Sequence, residues 1–349
     1  VFDFSKLLRE SIKNVKPYAS ARDEYKGKEG IFLDANENPY GSASTDNYNR
    51  YPDPLQRDLK EKIAALKRVK PEQIFLGNGS DEPIDLLMRM VCNPGKDNIV
   101  ITPPTYGMYE VSAAINDVKV KEAPLTENYE LVADRVLKAV DENTKIVFLC
   151  NPNNPTGNSL SVAEMTKVVE GFKNIVVIDE AYIDFATDQS FLPKLKNYPN
   201  LIVLQTFSKA WGMAGLRLGM AFASEEIIKV FNKIKFPYNV NIATQHIVFE
   251  SIDNVMKKER MVMDILEQRE WLSEELKKLS NVVVKVFPSS ANFILVKTKD
   301  GRKVYEYLIS KKIITRDRSN VILCEGSLRV SVGKPEENKA LVEALKGYK

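Results

Sequence analysis

Between about residues 55 and 225, stretches in which apolar side chains recur every three or four positions alternate with short runs rich in Val and Ile. The first pattern is that of an amphipathic helix and the second that of a buried strand, so their alternation predicts a mostly parallel α/β sheet flanked by helices. Four of the apolar runs end on polar groups. Asn98 to Thr102 leads into Pro103, Pro104, Thr105 and Tyr106; Lys145 to Cys150 leads into Asn151-Pro-Asn-Asn-Pro-Thr-Gly157. Ile175 to Ile178 stops at Asp179, and Leu201 to Gln205 stops just before Ser208 and Lys209. Ligands of open α/β sheets sit outside the carboxyl ends of the strands, so these four endings point to one shared site.

From about Ser251 to Leu279 the pattern becomes one long charged amphipathic helix, a connection between domains. Shorter strands follow at Val282 to Phe287, Asn292 to Val296 and Leu328 to Val332, with a helix from Lys303 to Lys311, which predicts a second, smaller α+β domain. A length of 349 residues accommodates both.

Composition then removes alternatives. Lys and Arg exceed Asp and Glu by only three, with the signs interleaved, so no basic arm for nucleic acid or for a membrane surface is present. Cys92, Cys150 and Cys324 are far apart and in apolar surroundings, as reduced buried thiols are, and metal-binding or disulfide spacing is missing. No apolar run approaches the ~20 residues that span a bilayer, and the first fifteen residues lack the apolar core of a secretion signal, so a cytoplasmic protein is expected. The single histidine, His246, lies in an apolar helical stretch with no nucleophile motif near it. The proton carrier has to be another residue.

Two groups of residues carry chemistry. Gly77-Asn78-Gly79-Ser80-Asp81-Glu82-Pro83 joins a strand to a helix; such a turn presents free N–H groups to a phosphate, or it simply caps the helix. It has neither the third glycine of a dinucleotide fingerprint nor the Gly-Lys-Ser/Thr of a P-loop. The second group is Asp179, Tyr182, Ser208, Lys209 and Arg217. A carboxylate at the end of an apolar strand needs a cationic or N–H partner, and a lysine after another buried strand can become a Schiff-base former. Singly, Lys209, Tyr182 and Arg217 are as well read as a solvated lysine, a core-edge tyrosine and a surface ion pair. Gly212, Gly215 and Gly219 follow Lys209 at positions that suggest close backbone approach. Together the set supplies an aldimine lysine, an acid for a ring nitrogen, a phosphate cradle and an aromatic for a ring face.

The order Gly79-Ser80-Asp81, Tyr106, Asn154-Pro-Thr-Gly157, Asp179-Glu-Ala-Tyr182, Ser208-Lys209, Arg217, Arg329 resembles that of the fold type I pyridoxal 5′-phosphate (PLP) aminotransferases over nearly the whole chain. Within them it is similar to the histidinol-phosphate aminotransferases, a class II family. The likeness rests on Pro17-Tyr18, Ser20-Ala21-Arg22, Leu33 to Gly41, Arg50-Tyr-Pro-Asp-Pro54, Ser290-Ala-Asn-Phe293, Arg316 and Leu328-Arg-Val-Ser-Val-Gly333. Met220 and Pro237-Tyr-Asn-Val-Asn241 depart from the family pattern.

The resemblance implies a PLP-binding large domain at 38–254, and a small domain from 1–37 and 255–349. It implies that Lys209 forms the Schiff base, that Asp179 pairs with the ring nitrogen, and that Asn154 and Tyr182 bond the ring's phenolic oxygen while Tyr106 stacks on the ring. The cofactor phosphate would take Gly79, Ser80, Asp81, Ser208 and Arg217, with Tyr51 reaching over from a second subunit of a homodimer. Arg329 would hold the glutamate carboxylate, and Arg316 with Tyr18 the substrate phosphate, unless Arg316 is held in an ion pair within Arg316-Asp317-Arg318. Asn36 would be a lid contact. The implied reaction is amino transfer between L-histidinol phosphate and 2-oxoglutarate in histidine biosynthesis. Aromatic amino-acid transamination and threonine-phosphate decarboxylation use much the same cofactor residues.

Overall fold

The structure, a computed structural model, describes residues 2–17 and 30–348. Seven strands form the larger sheet: β1 (Ile74–Asn78), β2 (Asn98–Ile101), β3 (Lys119–Glu122), β4 (Thr144–Cys150), β5 (Ile175–Asp179), β6 (Leu201–Thr206) and β7 (Leu218–Phe222), in the order β1-β7-β6-β5-β4-β2-β3. The pairs from β3 through β6 are parallel, whereas β7 runs antiparallel to both β6 and β1. Strands β2, β5 and β6 are buried along their whole length, which is why they read as continuous apolar runs rather than alternating ones. The edge strand β3 is Lys-Val-Lys-Glu with both charged ends exposed, a composition that discourages pairing with another edge and conceals a strand from hydrophobic pattern reading.

Both faces of this sheet are covered. One core holds Val100, Val147, Val176, Val203, Leu218 and Phe222, and the other Phe75, Ile99, Ile146, Phe148, Val177 and Ile202, as the two-residue repeat of each strand requires. Met220 lies in the first of these cores, 1% exposed, so this departure from the family pattern does not reach the cleft. The three cysteines are free and buried, as expected, and His246 is an exposed residue facing Glu250.

A second sheet of four antiparallel strands, β8 (Val283–Val286), β9 (Phe293–Thr298), β10 (Arg316–Asp317) and β11 (Ser327–Ser331), has the order β10-β11-β9-β8 and its own core with the helices at 255–277, 301–310 and 335–346. The long helix Val255–Lys277 leads into it, and Tyr182, Phe185, Val262, Ala291 and Phe293 pack where the two units meet. The first turns of the chain correct the expectation that residues 1–37 join the smaller unit. Phe4 is fully buried among the core residues of the large sheet, and the Arg9 N–H donates to the Met90 carbonyl at 2.9 Å. Among the described residues, no helix is long and apolar enough to cross a membrane.

The segment after β5 is closed on itself by Glu180. Its carboxylate accepts hydrogen bonds from the Phe191 N–H at 2.5 Å, the Ser190 hydroxyl at 2.8 Å and the Gln205 amide at 2.8 Å, so residues 180–191, Tyr182 included, form one pinned loop. Complete burial pushes this carboxyl up to about 7 against the three hydrogen bonds that favour its charged form. Between its unfolded value near 4.5 and about 7 the folded protein holds the extra proton, so the stability contributed by Glu180 is present at low pH and is lost as pH rises. Glu180→Gln should therefore gain on the parent by up to about 3 kcal/mol between pH 4.5 and pH 7 in denaturant titrations of the cofactor-free protein. Parallel pH profiles for the two proteins would contradict this.

Candidate active site

The parallel strands β1, β2, β4, β5 and β6 all end on one edge of the sheet, and β7, running the other way, begins there. That single reversal delivers Arg217 to the same edge as Asp179 and Lys209. A cleft at this edge is lined by Gly79, Ser80, Asp81, Tyr106, Asn154, Asp179, Tyr182, Ser208, Lys209 and Arg217, together with Cys150, Ala181, Thr206 and Ala214. Ten of the residues singled out in the sequence thus come together from five loops.

At its base lies Asp179, 2% exposed. One carboxylate oxygen accepts from the Tyr109 hydroxyl at 2.8 Å and the other from the Ala181 N–H at 3.1 Å; no cation is within ion-pair distance among the described residues. Burial pushes this carboxyl up to about 6. A buried carboxylate without a cation is energetically unfavourable, and a protonated pyridine nitrogen would be a fitting partner. Lys209 opens onto the same cleft, its ammonium 5.4 Å from the centre of the Tyr182 ring. Desolvation, then Arg329 and Arg217, hold this amine below the ordinary lysine value, which favours the neutral nucleophile.

The glycine-rich turn is the candidate anion cradle. Gly79 has φ +71°, a conformation that L side chains rarely adopt, and donates its N–H to the Arg217 carbonyl at 2.7 Å. Across from it, a Cβ added to Gly219 would stand 2.2 Å from the Gly79 carbonyl carbon and the Ser80 nitrogen. The turn and β7 therefore meet backbone to backbone, and only glycine fits. Gly212 and Gly215 do not share this constraint, since a Cβ at either would meet nothing within 4 Å. Ser80 occupies the N-cap of the helix Asp81–Val91 without a capping hydrogen bond from its side chain, so helix capping does not account for it. Glu82 instead braces the turn by accepting the Asn78 N–H at 2.6 Å. Asn239 reinforces this with bonds to the Leu76 carbonyl and to Glu82, which gives the polar segment Pro237 to Asn241 a physical purpose.

Tyr106 donates its hydroxyl to Asp81 at 3.0 Å, and Asp81 faces Arg217 at 3.5 Å, so the three share one network. Tyr182 is buried with its ring edge-on to Phe293 of the smaller unit. Asn154 accepts a hydrogen bond from Arg329 at 2.5 Å, which joins the large sheet's loop to β11. Arg316 stands directly opposite Arg329 in the β10–β11 ladder and is exposed. The alternative reading of Arg316, an ion pair with Asp317, does not occur: Asp317 accepts the Ser319 N–H at 2.8 Å and faces Arg302. Arg318, named in the sequence only as a neighbour, adds a third, half-buried guanidinium held below its ordinary value by burial and by Arg329 and Arg316. Among the described residues none of the three arginines has a carboxylate at ion-pair distance, so the group presents uncompensated positive charge to an anion.

Of the expected residues, Arg316 and Arg329 do not line the cleft, Arg329 reaching it through Asn154, and Tyr51 and Asn36 lie outside it on their own chain. Tyr51 is 51% exposed and stacks on Tyr238 with ring centres 4.4 Å apart. Asn36 is exposed with φ +54°. Between them Glu37, which the sequence did not single out, accepts from Arg50 at 2.7 Å and from the Tyr51 N–H at 2.6 Å, tying the two motifs together. Tyr18 lies outside the described residues. Tyr109 also escaped sequence reading; its one signal was a position one helical turn after Tyr106.

The residues present fit PLP: an uncompensated buried acid, a facing lysine and a backbone cradle that a Cβ would fill. The model of the aminotransferase class I and II family matches residues 24–345. Histidinol-phosphate aminotransferase of Cytophaga hutchinsonii is 60% identical over 347 residues, covering 99% of each chain, and that of Bacteroides fragilis is 52% identical over 343 residues, covering 98% of each. Among solved structures, the histidinol-phosphate aminotransferase of Clostridium acetobutylicum superposes with a TM-score of 0.80 at 28% identity, over 86% of this chain and 90% of that one. The Sinorhizobium meliloti enzyme in complex with PLP gives a TM-score of 0.79 at 22% identity, over 97% of each chain, a likeness of fold. The chain belongs to the class I and II aminotransferases, and within them to the histidinol-phosphate aminotransferase family.

Proposed function

We propose that the chain catalyses reversible PLP-dependent amino transfer between L-histidinol phosphate and 2-oxoglutarate, giving imidazole acetol phosphate and glutamate in histidine biosynthesis. The observation that carries the reading is a cleft with a lysine and an uncompensated buried carboxylate, to which the Arg329–Asn154 hydrogen bond joins a group of three guanidiniums without acidic partners among the described residues. When bound, PLP supplies an electron sink that makes the proton on the substrate carbon removable.

The chain's residues hold and direct that chemistry. Asp179 would pair with the ring nitrogen and keep it positive, an electrostatic contribution of several kcal/mol to the barrier. Lys209 would hold the cofactor and, once displaced by the amino substrate, take the proton from one carbon and return it at the other; its depressed basicity suits both directions. Tyr106 would stack on the ring, and Asn154 and Tyr182 would meet its phenolic oxygen, Asn154 while orienting Arg329. Gly79, Ser80, Asp81, Ser208 and Arg217 would enclose the phosphate.

A pocket that accepts a phosphate monoester in one half-reaction and a dicarboxylate in the other needs permanent planar charges. Arg329 would hold the α-carboxylate, with Arg316 and Tyr18 on the substrate phosphate. The exposed Tyr51, away from its own chain's cleft, is placed as a residue lent to a second subunit would be, which supports a homodimer with shared sites. The free, buried cysteines suit a cytoplasmic enzyme.

Lys209→Ala should lower the half-reaction rate with histidinol phosphate by at least about 10³ while the thermal melt stays within a few degrees. A variant that retains a tenth of the parent's rate would remove Lys209 from its role. Arg316→Ala should lower kcat/KM for histidinol phosphate by about 10- to 100-fold, the worth of a charge-assisted contact, and for unphosphorylated histidinol by less than threefold. Equal losses for both would remove the phosphate from Arg316. Gly219→Ala should weaken PLP binding at least about tenfold, measured by titration of the cofactor-free protein, because the cradle has to open. Unchanged affinity would mean that the cradle lies elsewhere.

A further inference from the structure

Tyr109 is fully buried on the helix Met108–Ile115, and its hydroxyl donates to Asp179 at 2.8 Å. Its ring is wedged in place, stacked on Phe148 with centroids 4.6 Å apart and planes 17° apart, and edge-on to Tyr106 with centroids 5.6 Å apart and planes 87° apart. The two tyrosines also touch through the backbone, where the Tyr109 N–H donates to the Tyr106 carbonyl at 3.3 Å. One side chain thus contacts two of the residues assigned to the cofactor ring, the one at its nitrogen and the one stacked on its face.

We propose that Tyr109 is the positioning residue of this site: its hydroxyl fixes the Asp179 carboxylate, and its ring fixes the plane of Tyr106. The proposal rests on the roles given above to Asp179 and Tyr106. A hydrogen bond donated in a dry site is strong, and one donated to a carboxylate favours its charged form. The other groups that act on Asp179 do not replace it. The Ala181 N–H also donates, Lys209 favours the charged form across the cleft, Asp81 opposes it, and Cys150, Tyr106 and Tyr182 bring neutral groups. Without the Tyr109 hydroxyl, one carboxylate oxygen loses its hydrogen-bond donor and is free to rotate or take up a proton, and the ring nitrogen opposite it would lose its counter-charge.

Tyr109→Phe keeps the ring and removes only the hydroxyl. In cofactor-free protein, infrared difference titration against Asp179→Asn should show the Asp179 carboxyl titrating about one unit higher in the variant. In the loaded enzyme kcat should fall about 10- to 100-fold with KM for glutamate changed less than threefold, and PLP affinity should fall about five- to twentyfold. In an Asp179→Asn background the same substitution should change kcat less than twofold, a coupling that a merely structural role would not produce. If Tyr109→Phe does not fold, 3,5-difluorotyrosine at position 109, a stronger donor, should move the Asp179 carboxyl downward. An unmoved carboxyl together with kcat within twofold of the parent overturns the proposal and leaves the functional reading standing. A parent protein that does not bind PLP overturns both.

Discussion

The site depends on one unfavourable placement, a carboxylate at the end of a fully buried strand with no cation at ion-pair distance among the described residues. Asp179 closes β5 between Cys150 of β4 and Leu204 of β6 in the parallel ladders, so the backbone cannot swing it toward water. Neutral donors from Tyr109 and Ala181 hold it, and burial still raises it to about 6. Such a group costs the folded protein stability, a cost that a cationic ring bound beside it would offset.

Around that point the fold collects its helpers by topology. Parallel strands leave their loops on one edge, and the one antiparallel strand of the large sheet, β7, starts on that edge and brings Arg217 and Gly219 against the turn at Gly79. The smaller sheet contributes Arg329 and Phe293, joined to the large one through Asn154 and Tyr182. The residues proposed for the cofactor and for the substrate are therefore in contact across the boundary between the units, so a displacement of the smaller sheet would be felt at both. On the other side of β5, Glu180 pins the loop that carries Tyr182, so two adjacent acids face opposite ways and do different work.

Much of this was legible in the sequence because strand ends are chemically marked. Asp179, Lys209 and the Asn151 to Gly157 turn interrupt runs of Val, Ile and Leu, and the observed strands stop within a residue or two of the expected positions. What escaped did so for physical reasons. The charged edge strand β3 has no apolar run, and the antiparallel direction of β7 is a property of the chain path that no local pattern carries. Tyr109 reads as one more aromatic on an amphipathic helix, and Arg318 as a surface charge, although its guanidinium is half-buried and within electrostatic reach of Arg329. The packing of Phe4 under the large sheet was equally silent, because a four-residue helix offers no periodicity.

The most direct test of the central claim is the visible spectrum of the PLP-loaded protein during addition of L-histidinol phosphate without any keto acid. The account predicts that the band of the lysine-bound cofactor gives way stoichiometrically to that of the amine form, and that adding 2-oxoglutarate restores it. A protein that binds PLP yet keeps its spectrum unchanged at saturating histidinol phosphate would contradict the substrate, and one that binds no PLP would contradict the assignment of the whole cleft.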